Sequence, residues 1–466
     1  MASPGRERGR AGAAYALVGL ALAAAGALWA TGPAVAEASW TPRFLRWYAV
    51  AWACYAVGAM VASRARRLPR WVLVWIVVAA LGMRVVCLVR TPVLSTDVWR
   101  YLWDGRVINA GINPYRYPPR AARQPRLPQK SEPPADVKTL RGLKDANWQA
   151  INWKQIPTIY PPLAQMLFAG LARVRDGDTE AFRWALTLFD MASILVLIGL
   201  LRRTNRPAER VIWYAWCPLT VTECAAGAHV DAFALFPLLL ALLLAARRGG
   251  RPGPVSGIAL GAAVMAKGYA LLAAPLFIRR GGWKILLALA VTLAVLVAPF
   301  ASVRGHIFDG LNEYVDRWQA NASLFIMLNR ILAKSTPEHF DIARKITMAA
   351  VALVALAIAW RLKPGTERLL AGTFAAIGAQ LLLGAPTLPW YAIWVVPALC
   401  WWEIRALALF TLTVSEQYYA RNLWPGDEAK QYALLWAGYV PVYALLIGQV
   451  IVWRIRRRRS APSRTP

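Results

Sequence analysis

The sequence predicts an all-α polytopic membrane protein of about 12–14 transmembrane or broken helices, and three observations carry that expectation. Hydrophobic residues make up 58% of the 466-residue chain and charged residues 17%. Soluble chains lie nearer half apolar and a quarter charged. Lys and Arg outnumber Asp and Glu by 54 to 24, a formal charge of +30, yet the cations cluster between apolar runs. The five Cys (Cys54, Cys87, Cys217, Cys224 and Cys400) are odd in number and lie inside those runs, which excludes a disulfide scaffold. A disordered basic chain is excluded because it lacks the apolar content to collapse. A soluble nucleic-acid binder would coat a polar surface with its cations, so no nucleic-acid partner is expected.

A crossing needs roughly 20 mostly apolar residues. Such runs occur near 13–31, 45–62, 71–89, 184–201, 211–227 and 230–246, and again near 284–303, 345–361, 368–385, 390–404, 406–420 and 431–453. Arg-rich loops face the cytoplasm. The clusters are Arg6, Arg8 and Arg10; Arg64, Arg66, Arg67 and Arg70; Arg202, Arg203, Arg206 and Arg210; Arg247, Arg248 and Arg251; Arg361, Lys363 and Arg368. The tail adds Arg454 and Arg456 to Arg459. The first run is longer than the 7–15 apolar residues of a signal peptide, so it reads as an uncleaved anchor despite the AVA at 34–36.

Alternation from an inside N-terminus keeps every cluster inside only if two segments do not cross. The segment 158–172 is short, begins with a Pro pair and has both ends outside, as a juxtamembrane or re-entrant helix would. The segment 255–279 is flanked by cations on both sides, so it reads as a hairpin or broken pair turning near Lys267 and Gly268. Irregular backbone at that depth must be buried in protein or line a cavity.

The expected organisation is a single integral-membrane domain over 1–466. It has a first extracytoplasmic loop at about 90–183, a second at 304–343 and a basic cytoplasmic tail at 454–466. The first loop holds Pro92, Pro114, Pro118, Pro119, Pro125, Pro128, Pro133 and Pro134, so turns and short helices are expected there. The second spaces its apolar residues as an amphipathic interfacial helix. No repeat, CxxC spacing or GxxxxGK[ST] loop occurs, and no metal site is expected.

Ionisable groups at span ends are functional candidates because desolvation makes them costly. Asp97, Arg100 and Asp104 open the string STDVWRYLWDGRVINAGINPYRYPP after the third run. They read either as a surface pair of Asp97 with Arg100, or a helix cap by Ser95 or Thr96, or as a carboxylate base at the membrane lip. Glu223, His229 and Asp231 surround a bend, where Asp231 either caps a helix or joins the polar wall of a cavity. Lys267 either snorkels or binds phosphate. Trp390 and Tyr391 belong to an aromatic belt or stack on a sugar ring.

RYLWDGRVINAGINPY, YPPLAQMLF with Tyr160 at its head, GAHVDAF, MAKGYALLAAPLF, LNEYVDRWQANASLF with Arg317, and LPWYAIWVVP occur in an order that resembles the membrane glycosyltransferases of the GT-C fold. Among these, the chain is most similar to bacterial polyprenyl-phosphate-mannose-dependent α-mannosyltransferases. Three runs precede Asp97, where the simplest GT-C pattern has one, and Ala228 and Val230 depart from the GHND-type motif.

The resemblance implies a hexose, mannose, moved from a polyprenyl-phosphate donor to a glycolipid, glycan or protein hydroxyl outside the inner (plasma) membrane. Asp97 would be the base of an inverting displacement. Lys267, with Arg100 or Arg317, would meet the leaving phosphate without a cofactor or divalent metal. Asp104, Tyr160, Glu223, His229, Asp231, Trp390 and Tyr391 complete the expected donor or acceptor site. A transporter or flippase of a lipid-linked sugar shares the broken helices.

Overall fold

The computed structural model describes residues 4–32, 40–65, 68–91, 94–123, 134–418 and 426–459. The AVA at 34–36, Arg66, Arg67, Pro92, Pro125, Pro128, Pro133 and the last residues of the basic tail lie outside them. The described residues form helices and turns without a strand, and a single backbone bridge joins Ala320 to Pro386.

Among the described residues seven helices are long and apolar enough to cross a membrane: Ala11–Ala30, Pro42–Arg64, Arg70–Arg90, Glu180–Arg203, Trp283–Arg317, His339–Arg361 and Glu428–Arg456. Their outer surfaces stay apolar. Val74, Leu188, Leu195 and Leu353 are each more than 60% exposed, which water would penalise and hydrocarbon does not. The chain is a multi-pass membrane protein.

The two ends of the bundle differ in chemistry. At one end Arg206 bonds Glu367 at 2.8 Å, Arg210 donates to the Cys400 carbonyl at 2.6 Å and Arg280 to the Gly250 carbonyl at 3.4 Å. The Arg-rich turns therefore touch one another. The opposite end gathers residues near 97, 229, 267, 314 and 390 around one cavity.

The segment expected to turn near Lys267 does so. The helix Pro254–Ala266 ends at Lys267, which is extended, and a 3-10 turn Gly268–Ala273 leads into the helix Ala274–Gly281. Both outer ends lie at the basic end. The Pro-led segment 158–172 leads into the 13-residue helix Pro162–Val174, which ends two residues beyond it and packs on Asp97–Asn109. A Cβ at Gly105 would collide with the Phe168 carbonyl, so that close packing requires glycine.

Three runs that read as continuous spans are broken. The run 211–227 is built from Ile212–Ala215, Pro218–Val221 and a π-helical turn Thr222–Ala226. The run 390–404 is two 3-10 helices, Pro389–Trp394 and Val396–Cys400. The run 406–420 is helical over Arg405–Thr413, is interrupted by turns at 414–415 and is helical again at 416–418. Pro218, Pro389 and Pro397 each remove a backbone donor, and the first two segments are buried along almost their whole length. Protein enclosure is what permits irregular backbone at membrane depth. The single interfacial helix expected in 304–343 is likewise two, Asp309–Arg317 and Leu324–Leu332. Between them Thr387 donates its amide to the Ala320 carbonyl at 2.7 Å.

Two buried arginines lock this frame. Arg84 meets Asp190 at 2.5 Å and donates to the Ala215 carbonyl at 2.8 Å, while Tyr214 bonds the other Asp190 oxygen at 2.6 Å. Arg183 donates to the carbonyls of Cys87 and Thr91, each at 3.0 Å, and of Ala225 at 3.2 Å. One guanidinium thus ties the exit of the third span to the π turn.

Candidate active site

Asp97 begins the helix Asp97–Asn109 just beyond that exit, where Ser95 Oγ accepts its amide at 3.2 Å. Of the readings left open, neither a side-chain cap at Thr96 nor the Asp97–Arg100 pair is present, and Ser95 meets only the first helical amide. Arg100 turns to Asp104 instead, Nε to Oδ1 at 2.8 Å, because four residues bring side chains over one another on a helix. Its Nη1 donates to the Ile156 carbonyl at 3.1 Å, and its Nη2 is buried without a partner among the described residues. Asp104 also accepts from Gln165 at 3.1 Å and lies off the cavity wall, so its role is to fix Arg100.

The π turn Thr222–Ala226 ends in the Gly227 amide bonding the Thr222 carbonyl at 2.8 Å, and His229 returns its amide to the Glu223 carbonyl at 3.1 Å. This fold-back sets His229 between two carboxylates. Its Nδ1 is 3.8 Å from Asp97 Oδ2 and its Nε2 is 3.3 Å from Glu223 Oε2. Ala228 achieves the reversal at φ 51°, a left-handed conformation uncommon for a residue with a Cβ. Glu223 is fully buried, and the Tyr418 hydroxyl shares its one proton between the two carboxylate oxygens, at 3.0 and 2.9 Å.

Asp231 does not cap its helix. Its Oδ2 meets Lys267 Nζ at 2.5 Å and its Oδ1 accepts the Trp394 indole at 2.7 Å. Lys267 therefore points inward and does not snorkel. Its ammonium also lies 4.7 Å from the centre of the Tyr391 ring, and Tyr391 bonds Tyr314 hydroxyl to hydroxyl at 2.5 Å. Trp390 stacks on His229 with centroids 3.8 Å apart and planes 14° from parallel, so one of its faces is already covered.

These side chains border a cavity of about 1030 Å³. Asp97, Arg100, Tyr160, Lys267, Trp390 and Tyr391 line it directly. His229 and Asp231 stand behind the wall, against Asp97 and Lys267, and Glu223 stands one residue deeper, against His229. Arg317 is not brought to the cavity. It is 72% exposed at its side chain, pairs with Glu313 at 2.8 Å and lies off the wall, because helical phase points Tyr314 and Trp318 inward in its place. Leu271, Leu272, Leu311 and Val315 give part of the cavity an apolar lining. Among the described residues no group of three or more His, Cys, Asp or Glu side chains is arranged to hold a metal ion.

Sequence reasoning missed Tyr418, Tyr314, Trp394 and Asn152, whose amide donates to Thr96 Oγ1 at 2.8 Å beside Asp97. Tyr314 lies in a string already singled out, LNEYVDRW, and its aromatic neighbours were the available signal. Tyr418 had none, since only the fold brings it to Glu223.

Comparison with known families completes the description. Residues 8–280, more than half of the chain, match the N-terminal domain described as alpha-(1->6)-mannopyranosyltransferase, and residues 320–454 match the MptB C-terminal domain. The first match contains every candidate from Asp97 to Lys267, and the second contains Trp390 and Tyr391. No curated protein and no solved structure matches the chain.

Proposed function

The chain belongs to the alpha-(1->6)-mannopyranosyltransferase family, and from that premise we propose a donor, a mechanism and a membrane face for its mannosyl transfer. The donor is a polyprenyl-phosphate mannose and the acceptor a hydroxyl on a glycolipid, glycan or protein. Transfer is inverting and takes place on the extracytoplasmic side of the inner (plasma) membrane. The observation that carries this reading is that Asp97, Arg100 and Lys267 border one cavity at the end of the bundle opposite its Arg-rich turns. Those turns face the cytoplasm by the rule that orients membrane helices.

The acceptor oxygen attacks the anomeric carbon while the bond from that carbon to the phosphate oxygen breaks. The bonding pair departs with the phosphate, and the acceptor proton passes to Asp97. Its side chain is 22% exposed, reachable from the cavity yet partly desolvated. A carboxylate so placed contributes about 10²–10⁴-fold. The growing phosphate charge meets Lys267, which keeps donors beyond the one given to Asp231, and the unpartnered Arg100 Nη2. A β-linked donor then yields an α-linked product. A glycoside hydrolase needs a second carboxylate across the bond, and Asp104, committed to Arg100 and Gln165, is not offered for that task. The apolar strip at Leu271, Leu272, Leu311 and Val315 suits a polyprenyl chain.

The test gives purified protein in lipid vesicles a polyprenyl-phosphate mannose and a mannoside acceptor, with product mass and anomeric configuration read out. An α-linked mannosylated product is expected. Transfer only from a diphosphate donor would reassign the donor. Donor movement across the bilayer without transfer would make the protein a flippase.

A further inference from the structure

Behind Asp97 stand two ionisable groups that the displacement does not use. His229 is wholly buried, and neither ring nitrogen makes a hydrogen bond among the described residues. Leaving buried polar groups unsatisfied is costly. The ring is nevertheless held tightly. Trp390 covers one face, and a Cβ on Gly227 would fall 2.6 Å from His229 Cδ2 and 2.8 Å from the Glu223 carbonyl oxygen. Ala228 bears a left-handed backbone to keep it there. The outcome is a row running inward from the cavity: the Asp97 carboxylate, the His229 imidazole at 3.8 Å, the Glu223 carboxylate at 3.3 Å and the Tyr418 hydroxyl at 2.9 Å.

We propose that His229 and Glu223 form a proton relay that clears Asp97 after each transfer. The proposal rests on Asp97 being the base. His229 begins neutral with its proton on Nε2. The protonated Asp97 gives its proton to Nδ1 as the Nε2 proton moves to Glu223 Oε2. Asp97 ends as a carboxylate, His229 stays neutral with its proton on Nδ1, and Glu223 ends as the acid. No electrons are exchanged. Tyr418 remains hydrogen-bonded to Glu223 in both states, and once product has left the proton returns along the row to Asp97 and passes to water entering the open cavity, which leaves Asp97 a carboxylate for the next turnover. The gain is direction, because a proton parked on Glu223 is not available to the newly made glycosidic oxygen. The 3.8 Å gap at Asp97 is of the kind that tightens when substrate fills a site.

The charged and titratable groups facing His229 are Asp97 on the helix after the third span, Glu223 on the π turn and Lys267 at the break after Ala266. Asp231 lies beyond Lys267, and Trp390 contributes no charge. His229 and Glu223 are positioning residues in this scheme, since both act through Asp97.

The test measures kcat and KM across pH for the full chain in vesicles, with polyprenyl-phosphate mannose as the donor. His229→Phe keeps a ring against Trp390 without a transferable proton, and Glu223→Gln keeps shape without an acid. Each is expected to lower kcat roughly 10- to 100-fold, with KM held within about twofold and a changed pH dependence of kcat. The double variant should be no worse than the slower single. A His229→Phe enzyme with wild-type kcat and pH profile, or a defect confined to KM, overturns the relay. If His229→Phe does not fold, His229→Gln takes its place with the same two outcomes. Asp97→Asn is measured alongside. If it is inactive while His229→Phe is normal, only the relay falls, whereas turnover by Asp97→Asn removes base and relay together.

Discussion

Lys267 and Asp231 meet at 2.5 Å, with the carboxylate fully buried and the ammonium side chain 15% exposed on the cavity side. The pair joins the break after Ala266 to the first turn of Asp231–Ala246, and Trp394 secures the second carboxylate oxygen. A buried carboxylate thus aims a cation at the cavity and holds it there.

Removing either partner has distinct consequences. Lys267→Ala should strip Asp231 of its counter-charge and destabilise the protein by about 3–5 kcal/mol while weakening donor binding. Lys267→Met combined with Asp231→Leu should recover much of the stability without recovering binding. Thermal unfolding and donor titration separate the two effects, and unchanged donor affinity in Lys267→Ala would remove this residue from the phosphate site.

Asp97→Asn should abolish transfer, a loss of about 10²–10⁴-fold or more, while the protein still inserts and binds donor. Single-turnover assays beside donor binding report this. Near-normal turnover would move the base away from Asp97.

The turn that carries His229 predicts opposite results at adjacent positions. Gly227→Ala introduces a methyl with no room between His229 and the Glu223 carbonyl, so activity should fall with the displacement of the ring. Ala228→Gly relieves a left-handed backbone and should stabilise the protein by about 1 kcal/mol. Paired melting curves and rates check both.

Arg183→Leu leaves the carbonyls of Cys87, Thr91 and Ala225 without their donor, which should cost about 2–5 kcal/mol. Because those carbonyls flank the approach to Asp97 and the π turn, kcat should fall more than KM rises. Steady-state kinetics on the folded fraction would detect a purely structural role as a loss of active protein at constant kcat.

Chelation should leave the rate unaltered, since the proposed displacement meets its phosphate with Lys267 and Arg100. Loss of activity in EDTA, restored by a divalent ion, would contradict that.

How much of this was legible from the residues varies with the physical source of each feature. The break at Lys267 could be read because charge parity is additive along the chain and needs no tertiary knowledge. Asp97, Lys267, Trp390 and Tyr391 could be found because ionisable and aromatic groups at span ends are costly or selective wherever the fold puts them. The broken course of 211–227 could not, because apolar composition describes lipid-facing helices and protein-enclosed irregular backbone equally well. The partners were equally hidden. Asp97, three residues before Arg100, and Asp104, four after it, are both within helical reach, so spacing alone did not single out Asp104, and Tyr418 reaches Glu223 across 195 residues.

The enclosed segment at 212–217 also bears on how the chain is made. Tyr55 donates to the Trp213 carbonyl at 2.9 Å, Trp213 to Ser63 at 2.8 Å, Tyr214 to Asp190 at 2.6 Å and Trp216 to the Ile76 carbonyl at 3.0 Å. Each of those partners is synthesised earlier than the residue it satisfies. A segment whose backbone lipid alone would not tolerate therefore emerges from the ribosome after the helices that shelter it. The later segment at 389–401 repeats the arrangement, with Trp394 reaching back to Asp231 and Trp401 to Thr204. In these two segments biosynthetic order and polar satisfaction run in the same direction, so deletion of the first three helices should strand the first of them, whereas Glu223 and Asp231 wait for the later Tyr418, Lys267 and Trp394.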